Sequence, residues 1–169
     1  VRCNFATVDK DFFVLDRRAG RNSLGLDELS RYVNEHVDLG VPFIFRRTFE
    51  HRAVLIIKKE LSDQITVSDP YVVGQKVKRV EPLTFEASES AKLVQDFIEK
   101  SKQLTEFHSA NEQRMRHGIP MANIILTRQA GNRLPVLPCF TRRRKLNAVC
   151  IAENGAMTVS YTHLTLPTK

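Results

Sequence analysis

The sequence lacks long hydrophobic runs. Its longest apolar stretches, such as residues 53–57, have the length of a β-strand, whereas a membrane-spanning helix needs about 18 apolar residues or more. The first residues also lack the basic head and apolar middle of a signal peptide. The sequence therefore predicts no membrane partner and no secretory leader, and we expect a protein that acts in the cytoplasm.

Cysteine is scarce as well. Cys3, Cys139 and Cys150 are widely spaced and form no C-x-x-C pair. A disulfide framework or a structural zinc site needs ligands that are closer together and more numerous. We expect small buried hydrophobic side chains in a reducing compartment.

Familiar catalytic signatures are absent. The sequence contains no Walker-type glycine-rich loop, no G-x-S-x-G elbow and no H-E-x-x-H motif. Its histidines are scattered along the sequence and do not group with carboxylates, whereas a metal site needs several such ligands close together. We therefore expect no catalytic residue and no bound metal in this chain.

Basic residues outnumber acidic ones, 26 to 19, which gives a formal net charge of +7. Such a balance suits a nucleic-acid backbone, and it equally suits a small anion that carries phosphate and carboxylate groups. The arginines lie mostly in short groups beside predicted turns, with one dense run at 142–145, and no RRM-type aromatic signature accompanies them. Charge alone leaves both partners open.

The pattern of apolar residues predicts an α+β fold with a largely antiparallel mixed sheet and flanking helices. Turn residues at 9–11 and 49–51 predict two hairpins, and the apolar run 54–57 indicates a central, well-buried strand. The predicted strands are 2–8, 12–16, 42–48, 52–59, 123–127 and 148–152, and the predicted loop is 131–138.

Two helices are predicted from apolar residues at helical spacing. The first starts at Leu26 and stops at Gly40. The second covers 86–107, with Phe97 and Phe107 on its apolar stripe and Lys102 on its polar face.

Polar groups at strand ends and turns form the candidate binding site. Arg2 and Asn4 share one face of the first strand by the two-residue period. Three arginines beside an aspartate follow the second strand, an arrangement that suits an anion clamp in which Asp16 holds one guanidinium. Surface ion pairs and bonds to turn carbonyls are the alternative. The candidate residues are Arg2, Asn4, Asp16, Arg17, Arg18, Arg21, His51 and Arg52.

Several segments resemble the archaeal-type 2,3-bisphosphoglycerate-independent phosphoglycerate mutases, which are members of the alkaline phosphatase superfamily. They are RCNFATV at 2–8, DRRAGR at 16–21, FIFRRTFEHRAVL at 43–55, LSDQITVSDP at 61–70, EAS at 86–88, NEQR at 111–114 and ANIILTRQAG at 122–131. The likeness covers roughly residues 1–157. Glu50 and Gln129 stand where glycine is usual, Tyr71 stands where histidine is usual, and 67–68 is Val-Ser in place of Asp-Thr. These departures indicate a divergent member.

This resemblance implies a fragment. Residues 1–147 are expected to be a substrate-enclosing domain inserted into an α/β core, 148–157 the return to that metal-binding core, and 158–169 a non-native tail. The complete enzyme would interconvert 3-phosphoglycerate and 2-phosphoglycerate in glycolysis and gluconeogenesis, through a phospho-enzyme that needs two divalent metal ions (Mn, Mg or Zn).

The eight candidate residues would then bind phosphoglycerate, and the isolated fragment would be inactive. The alternatives are a basic nucleic-acid-binding module that uses 142–145, or a non-enzymatic truncated fragment. The sequence does not indicate an oligomeric state.

Overall fold

The first strand, β1 (Arg2–Val8), organises the sheet in the computed structural model, which describes residues 1–133. It pairs antiparallel with β2 (Val14–Asp16), β4 (Arg52–Ile57) and β5 (Ile124–Arg128), and β4 also pairs with β3 (Phe43–Arg47). Three helices accompany these strands: α1 (Leu26–His36), α2 (Ser88–Glu106) and α3 (Ser109–Arg116). The predicted α+β class with an antiparallel sheet is confirmed.

Several predictions concern residues after 133, which lie outside the described part of the chain. They are the strand at 148–152, most of the loop at 131–138, the domain borders at 147 and 157, and the tail. The burial of Cys139 and Cys150 belongs to the same group. Residues 1–132 form one compact unit.

Both predicted hairpins are present, with small differences. The β2 strand begins at Val14 rather than at residue 12, because Phe12 adopts a left-handed φ of +65° that interrupts the extended backbone. The β4 strand lies between β1 and β3, as its apolar run predicts. The expected burial is present for Leu55, which is fully buried, but not for Ile56, which is 49% exposed. An antiparallel sheet can leave one face in water, and Ile56 lies on that face.

Hydrophobic side chains cover both faces of β1. Cys3 and Phe5 belong to a cluster with Leu29 of α1, whereas Val8 belongs to a second cluster that includes Ile124 of β5. Burying a side chain of this size contributes about 1.5–3 kcal/mol. Burial also raises the pKa of the Cys3 thiol to about 12, so this cysteine behaves as the inert hydrophobe that the sequence predicts.

The helices differ from their predictions in three ways. α1 ends at His36, and Val37 already has an extended backbone. Phe107 follows the end of α2 and is 86% exposed, so its assignment to the apolar stripe is wrong. Lys102 was predicted on the solvent-exposed face of the second helix, but its side chain is buried. Its ammonium pairs with Glu106 and lies 5.0 Å from the ring centre of Phe12.

The sequence reasoning missed α3. Its buried residues are Ala110, Asn111 and Arg114, so it shows no apolar stripe that a helical period would reveal. No helix among residues 1–133 combines the length and the apolar character that a bilayer crossing requires.

Candidate anion-binding site

The register of the sheet brings together three of the predicted site residues, Arg2, Asn4 and Arg52, with Arg128, which was not predicted. Asn4 lies directly opposite Arg52 of β4, and Arg2 lies opposite Arg128 of β5. Residues directly opposite in an antiparallel pair share a face, and their Cβ atoms are about 5 Å apart. Arg2 and Asn4 therefore share a face, as their spacing predicts, and Arg52 and Arg128 lie on that face too, opposite Asn4 and Arg2 respectively.

A buried carboxylate joins Arg17 to the same strand end. Asp69 is fully buried and accepts from Nε and Nη2 of Arg17 at 2.9 and 3.2 Å. It also accepts from Nε of Arg128 at 2.6 Å and from the backbone N–H of Tyr71 at 2.7 Å. A carboxylate between two guanidiniums forms strong charge-assisted hydrogen bonds, which fix the direction of both arginines.

Asp16 has a different role from the expected one. Its carboxylate accepts from the backbone N–H groups of Arg18 and Gly20 at 2.7 and 3.0 Å. The expectation that Asp16 holds a neighbouring guanidinium is therefore wrong: a short side chain reaches the N–H groups of its own turn more easily. The carboxylate that holds Arg17 is Asp69, 52 residues further along the chain.

The loop after β2 carries Arg18 and Arg21, whose side chains are exposed. It contains a short 3₁₀ turn, Ala19–Arg21, in which all three residues have positive φ, from +44° to +69°. Arg114 of α3 supports this turn from the protein interior. Its guanidinium donates to the carbonyl oxygens of Ala19, Asn22, Leu24 and Pro120.

His51 lies on the opposite face of β1 from Asn4. The N–H of Phe5 donates to its carbonyl oxygen at 2.8 Å, which places His51 opposite Phe5. Its ring is buried. Burial and then the charge of Arg52 hold the pKa of His51 below its ordinary value, although the Glu50 carboxylate, 3.8 Å from Nδ1, acts in the other direction. The ring is therefore neutral near pH 7.

Two buried polar atoms at the site have no hydrogen-bond partner within the described part of the chain. They are Oδ1 of Asn4 and Nδ1 of His51. Buried polar atoms are nearly always paired in folded proteins. Each atom could therefore still form a hydrogen bond if a ligand or a movement of neighbouring residues brought a partner to it.

The predicted residues are therefore only partly brought together. Arg2, Asn4 and Arg52 share one face, and Arg17 is tied to that strand end through Asp69. His51 and Asp16 lie on the other face, since Asp16 pairs with Thr7. Arg18 and Arg21 occupy the exposed loop.

Sequence reasoning missed Asp69, Tyr71 and Arg128. A signal for two of them was present, because Asp69 and Arg128 lie in the segments 61–70 and 122–131 that carry the family resemblance. Their joint role depends on a contact across 59 residues, which no local pattern shows. Among residues 1–133, no group of three or more His, Cys, Asp or Glu side chains could hold a metal ion.

Comparison with known proteins gives one consistent family. The sequence model of 2,3-bisphosphoglycerate-independent phosphoglycerate mutase matches residues 1–111. Proteins of that name from Methanosphaera stadtmanae and Pyrococcus abyssi are 41% and 40% identical to the chain, over 91% and 89% of its length. The match spans 38% and 37% of those relatives.

A solved structure agrees. The cofactor-independent phosphoglycerate mutase from Thermoplasma acidophilum DSM 1728 superposes with a TM-score of 0.72 and 32% sequence identity. The superposition covers 85% of this chain and 39% of that protein. The extent of the sequence matches, together with this structural agreement, shows that the chain belongs to the 2,3-bisphosphoglycerate-independent phosphoglycerate mutase family.

Proposed function

We propose that this chain is the substrate-enclosing part of a phosphoglycerate mutase, which interconverts 3-phosphoglycerate and 2-phosphoglycerate through a metal-dependent phospho-enzyme. The observation that carries the proposal is the grouping of arginines at one end of the sheet. Arg2, Arg52 and Arg128 are cross-strand neighbours of Asn4 or of each other, and Asp69 ties Arg17 to Arg128.

The chemistry of the substrate supports this assignment. Phosphoglycerate carries a phosphate, a carboxylate and a free hydroxyl group on three carbons. Guanidinium groups bind both kinds of anion in a bidentate manner. The unpaired Oδ1 of Asn4, on the face that carries these arginines, can accept a hydrogen bond from the hydroxyl.

The contribution of this domain to catalysis is positioning and exclusion of water. Phosphoryl transfer depends mainly on placing the reacting groups and neutralising their charge. A domain that closes over the glycerate keeps water away from a phospho-enzyme, which water would otherwise hydrolyse. The arginines and Asn4, which share one face of the sheet, would hold the glycerate inside that enclosure while its orientation changes.

Two divalent metal ions (Mn, Mg or Zn) belong to the proposal for the complete protein. Residues 1–133 offer no cluster of ligands that fits such ions. In this proposal the domain would act on the substrate through its own side chains. We expect the isolated chain to show no mutase turnover with any of the three metals added. Its cytoplasmic location stays a prediction.

Binding of 3-phosphoglycerate tests the proposal directly. We expect saturable binding by calorimetry, weakened about ten-fold by Arg52→Ala, because a charge-assisted hydrogen bond contributes about 1.5–3 kcal/mol. Arg116→Ala is the matched control, since its side chain is 78% exposed on α3 and should not affect binding. Absence of binding, or an equal loss in both variants, would exclude a specific site at this sheet end.

A second measurement concerns His51. Burial and then the charge of Arg52 lower its pKa, so an anion bound at Arg52 should offset the second effect and raise the pKa. Titration of the His51 ring protons by NMR, with and without 3-phosphoglycerate, would show this change. An unchanged pKa would place the ligand elsewhere on the molecule.

A further inference from the structure

We infer that Asp69 is a positioning residue that holds Arg17 and Arg128 as a matched pair of anion-binding groups, with Tyr71 as an aromatic surface against both. This inference rests on the proposed function and deepens it. Asp69 need not touch the substrate: its effect would pass through the two arginines.

Asp69 is itself fixed to the strand that carries Arg128. The N–H groups of Ser68 and Asp69 lie 3.2 and 3.4 Å from the carbonyl oxygen of Thr127, next to Arg128. Oγ of Ser68 accepts from the N–H of Thr127 at 2.7 Å. These hydrogen bonds therefore fix the position of the Asp69 carboxylate at the outer edge of β5 in the absence of a ligand.

Each arginine offers the same edge to Asp69. Arg17 and Arg128 both use Nε and Nη2 to reach the carboxylate. Nη1 of each guanidinium has no acceptor in the described part of the chain. A guanidinium held by one edge in this way keeps the other edge free, with its direction fixed, for a ligand oxyanion.

Tyr71 adds a second constraint. Its backbone N–H donates to Asp69, and its residue adopts a left-handed φ of +66°, which is uncommon for a bulky side chain. Its ring centre lies 5.6 Å from Cζ of Arg17 and 4.8 Å from Cζ of Arg128. An aromatic ring at this distance attracts a guanidinium. Two arginines and one carboxylate leave the group with one net positive charge, which suits an anion.

Asp69 could affect anion binding through its charge or by positioning the arginines, and the two roles predict opposite effects of Asp69→Asn on the affinity. If the site binds anions by its net charge alone, Asp69→Asn removes a competing negative charge and should tighten binding. If Asp69 positions the arginines, the same change should weaken binding, although the formal net charge of the chain rises by one from +7. The sign of the change in affinity distinguishes the two roles.

The experiment uses the whole 169-residue chain and 3-phosphoglycerate as the probe. Calorimetry gives the affinity, and the Nε–Hε signals of Arg17 and Arg128 in a ¹⁵N NMR spectrum report whether the two guanidiniums are held. We expect Asp69→Asn to weaken binding about ten-fold and to move both signals. Equal or tighter binding by the folded variant would overturn the inference and leave the proposed function standing.

Failure of the wild-type chain to bind 3-phosphoglycerate would refute the proposed function, and this inference with it, before any variant is compared. If Asp69→Asn does not fold, two variants of Tyr71 test the arrangement instead. The side chain of Tyr71 is half-exposed, so both variants should fold. We expect Tyr71→Phe to bind 3-phosphoglycerate like the wild type, because it keeps the ring, and Tyr71→Ala to bind it several-fold more weakly. Equal affinity of the two Tyr71 variants would count against the arrangement.

Discussion

The guanidinium of Arg114 donates to the carbonyl oxygen of Ala19 across 2.6 Å, although the two residues are 95 positions apart. The same fully buried side chain reaches three further carbonyl oxygens, those of Asn22, Leu24 and Pro120. Burial lowers the pKa of Arg114, as expected for a cation removed from water. One side chain thus satisfies the backbone of the loop that displays Arg18 and Arg21.

Replacing this arginine should therefore destabilise the fold. We expect Arg114→Lys to lower the free energy of unfolding by about 2–4 kcal/mol, because lysine cannot reach all four carbonyls, and each buried group left unpaired costs about 1–3 kcal/mol. Urea unfolding gives the value. Arg116→Lys, two residues further along α3 and exposed, should change it by less than about 0.5 kcal/mol. Equal effects would mean that the four hydrogen bonds contribute nothing.

The turn before His51 carries a strained residue. Glu50 has a φ of +49°, a conformation that costs a residue with a Cβ about 1–2 kcal/mol and glycine almost nothing. We expect Glu50→Gly to raise the free energy of unfolding by up to about 1 kcal/mol, the remainder being offset by the greater freedom of the unfolded chain. Urea unfolding of the variant measures the change.

Glu60→Gly is the matched control, because Glu60 is equally acidic, exposed and outside the set of positive-φ residues. That variant should lose stability by up to about 1 kcal/mol. If both substitutions change the free energy of unfolding in the same direction, backbone strain at Glu50 does not explain the effect of Glu50→Gly.

The sequence predicted the features that depend on neighbouring residues and missed those that depend on contacts between residues far apart in the chain. The strands, α1 and α2 follow from local patterns, and the shared face of Arg2 and Asn4 follows from the period of a strand. Lys102 was misplaced because its contact with Phe12 is formed only in the folded chain. The helix α3 was missed because polar residues, Asn111 and Arg114, form most of its buried face.

The candidate site shows the same limit. Asp16 stands next to Arg17 in the sequence, yet Asp69 holds this arginine, because the chain brings residue 69 back beside β5. Two departures from the family pattern that involve glycine, at Glu50 and Gln129, coincide with positive φ. The sequence marked those positions as unusual, but only the backbone shows that they are strained.

The pH dependence of stability should reveal His51. Burial lowers its pKa in the folded chain, whereas the unfolded residue titrates near about 6.5. Between those two values the unfolded state binds more protons, so stability falls as the pH drops. The contribution of neutral His51 is fully present above about pH 6.5 and is lost as the pH falls through the lower, folded value.

We therefore expect the wild-type chain to lose more stability than His51→Gln between pH 7 and about pH 5. Urea midpoints at several pH values measure the difference, and NMR titration of the ring gives the folded pKa itself. A folded pKa at or above the ordinary histidine value, or parallel pH profiles for the two proteins, would contradict the assignment.

The last prediction concerns Arg18 in the complete protein. Its side chain is exposed, and within residues 1–133 it makes no hydrogen bond, while Asp16 and Arg114 hold the surrounding loop. Such an arginine contributes little to the fold, and its side chain stays accessible to the substrate that we propose. We expect Arg18→Ala to lower kcat/KM by roughly 10²-fold and to leave stability within about 0.5 kcal/mol.

Arg31→Ala on the exposed side of α1 is the matched control and should leave both quantities almost unchanged. The magnitude follows from a charge-assisted hydrogen bond, which contributes about 1.5–3 kcal/mol and more where water is excluded. A loss of stability as large as the loss of activity would indicate that Arg18 serves the fold. Full activity of Arg18→Ala would remove the loop after β2 from the substrate site, and the sheet end around Arg52 and Arg128 would bind the anion alone.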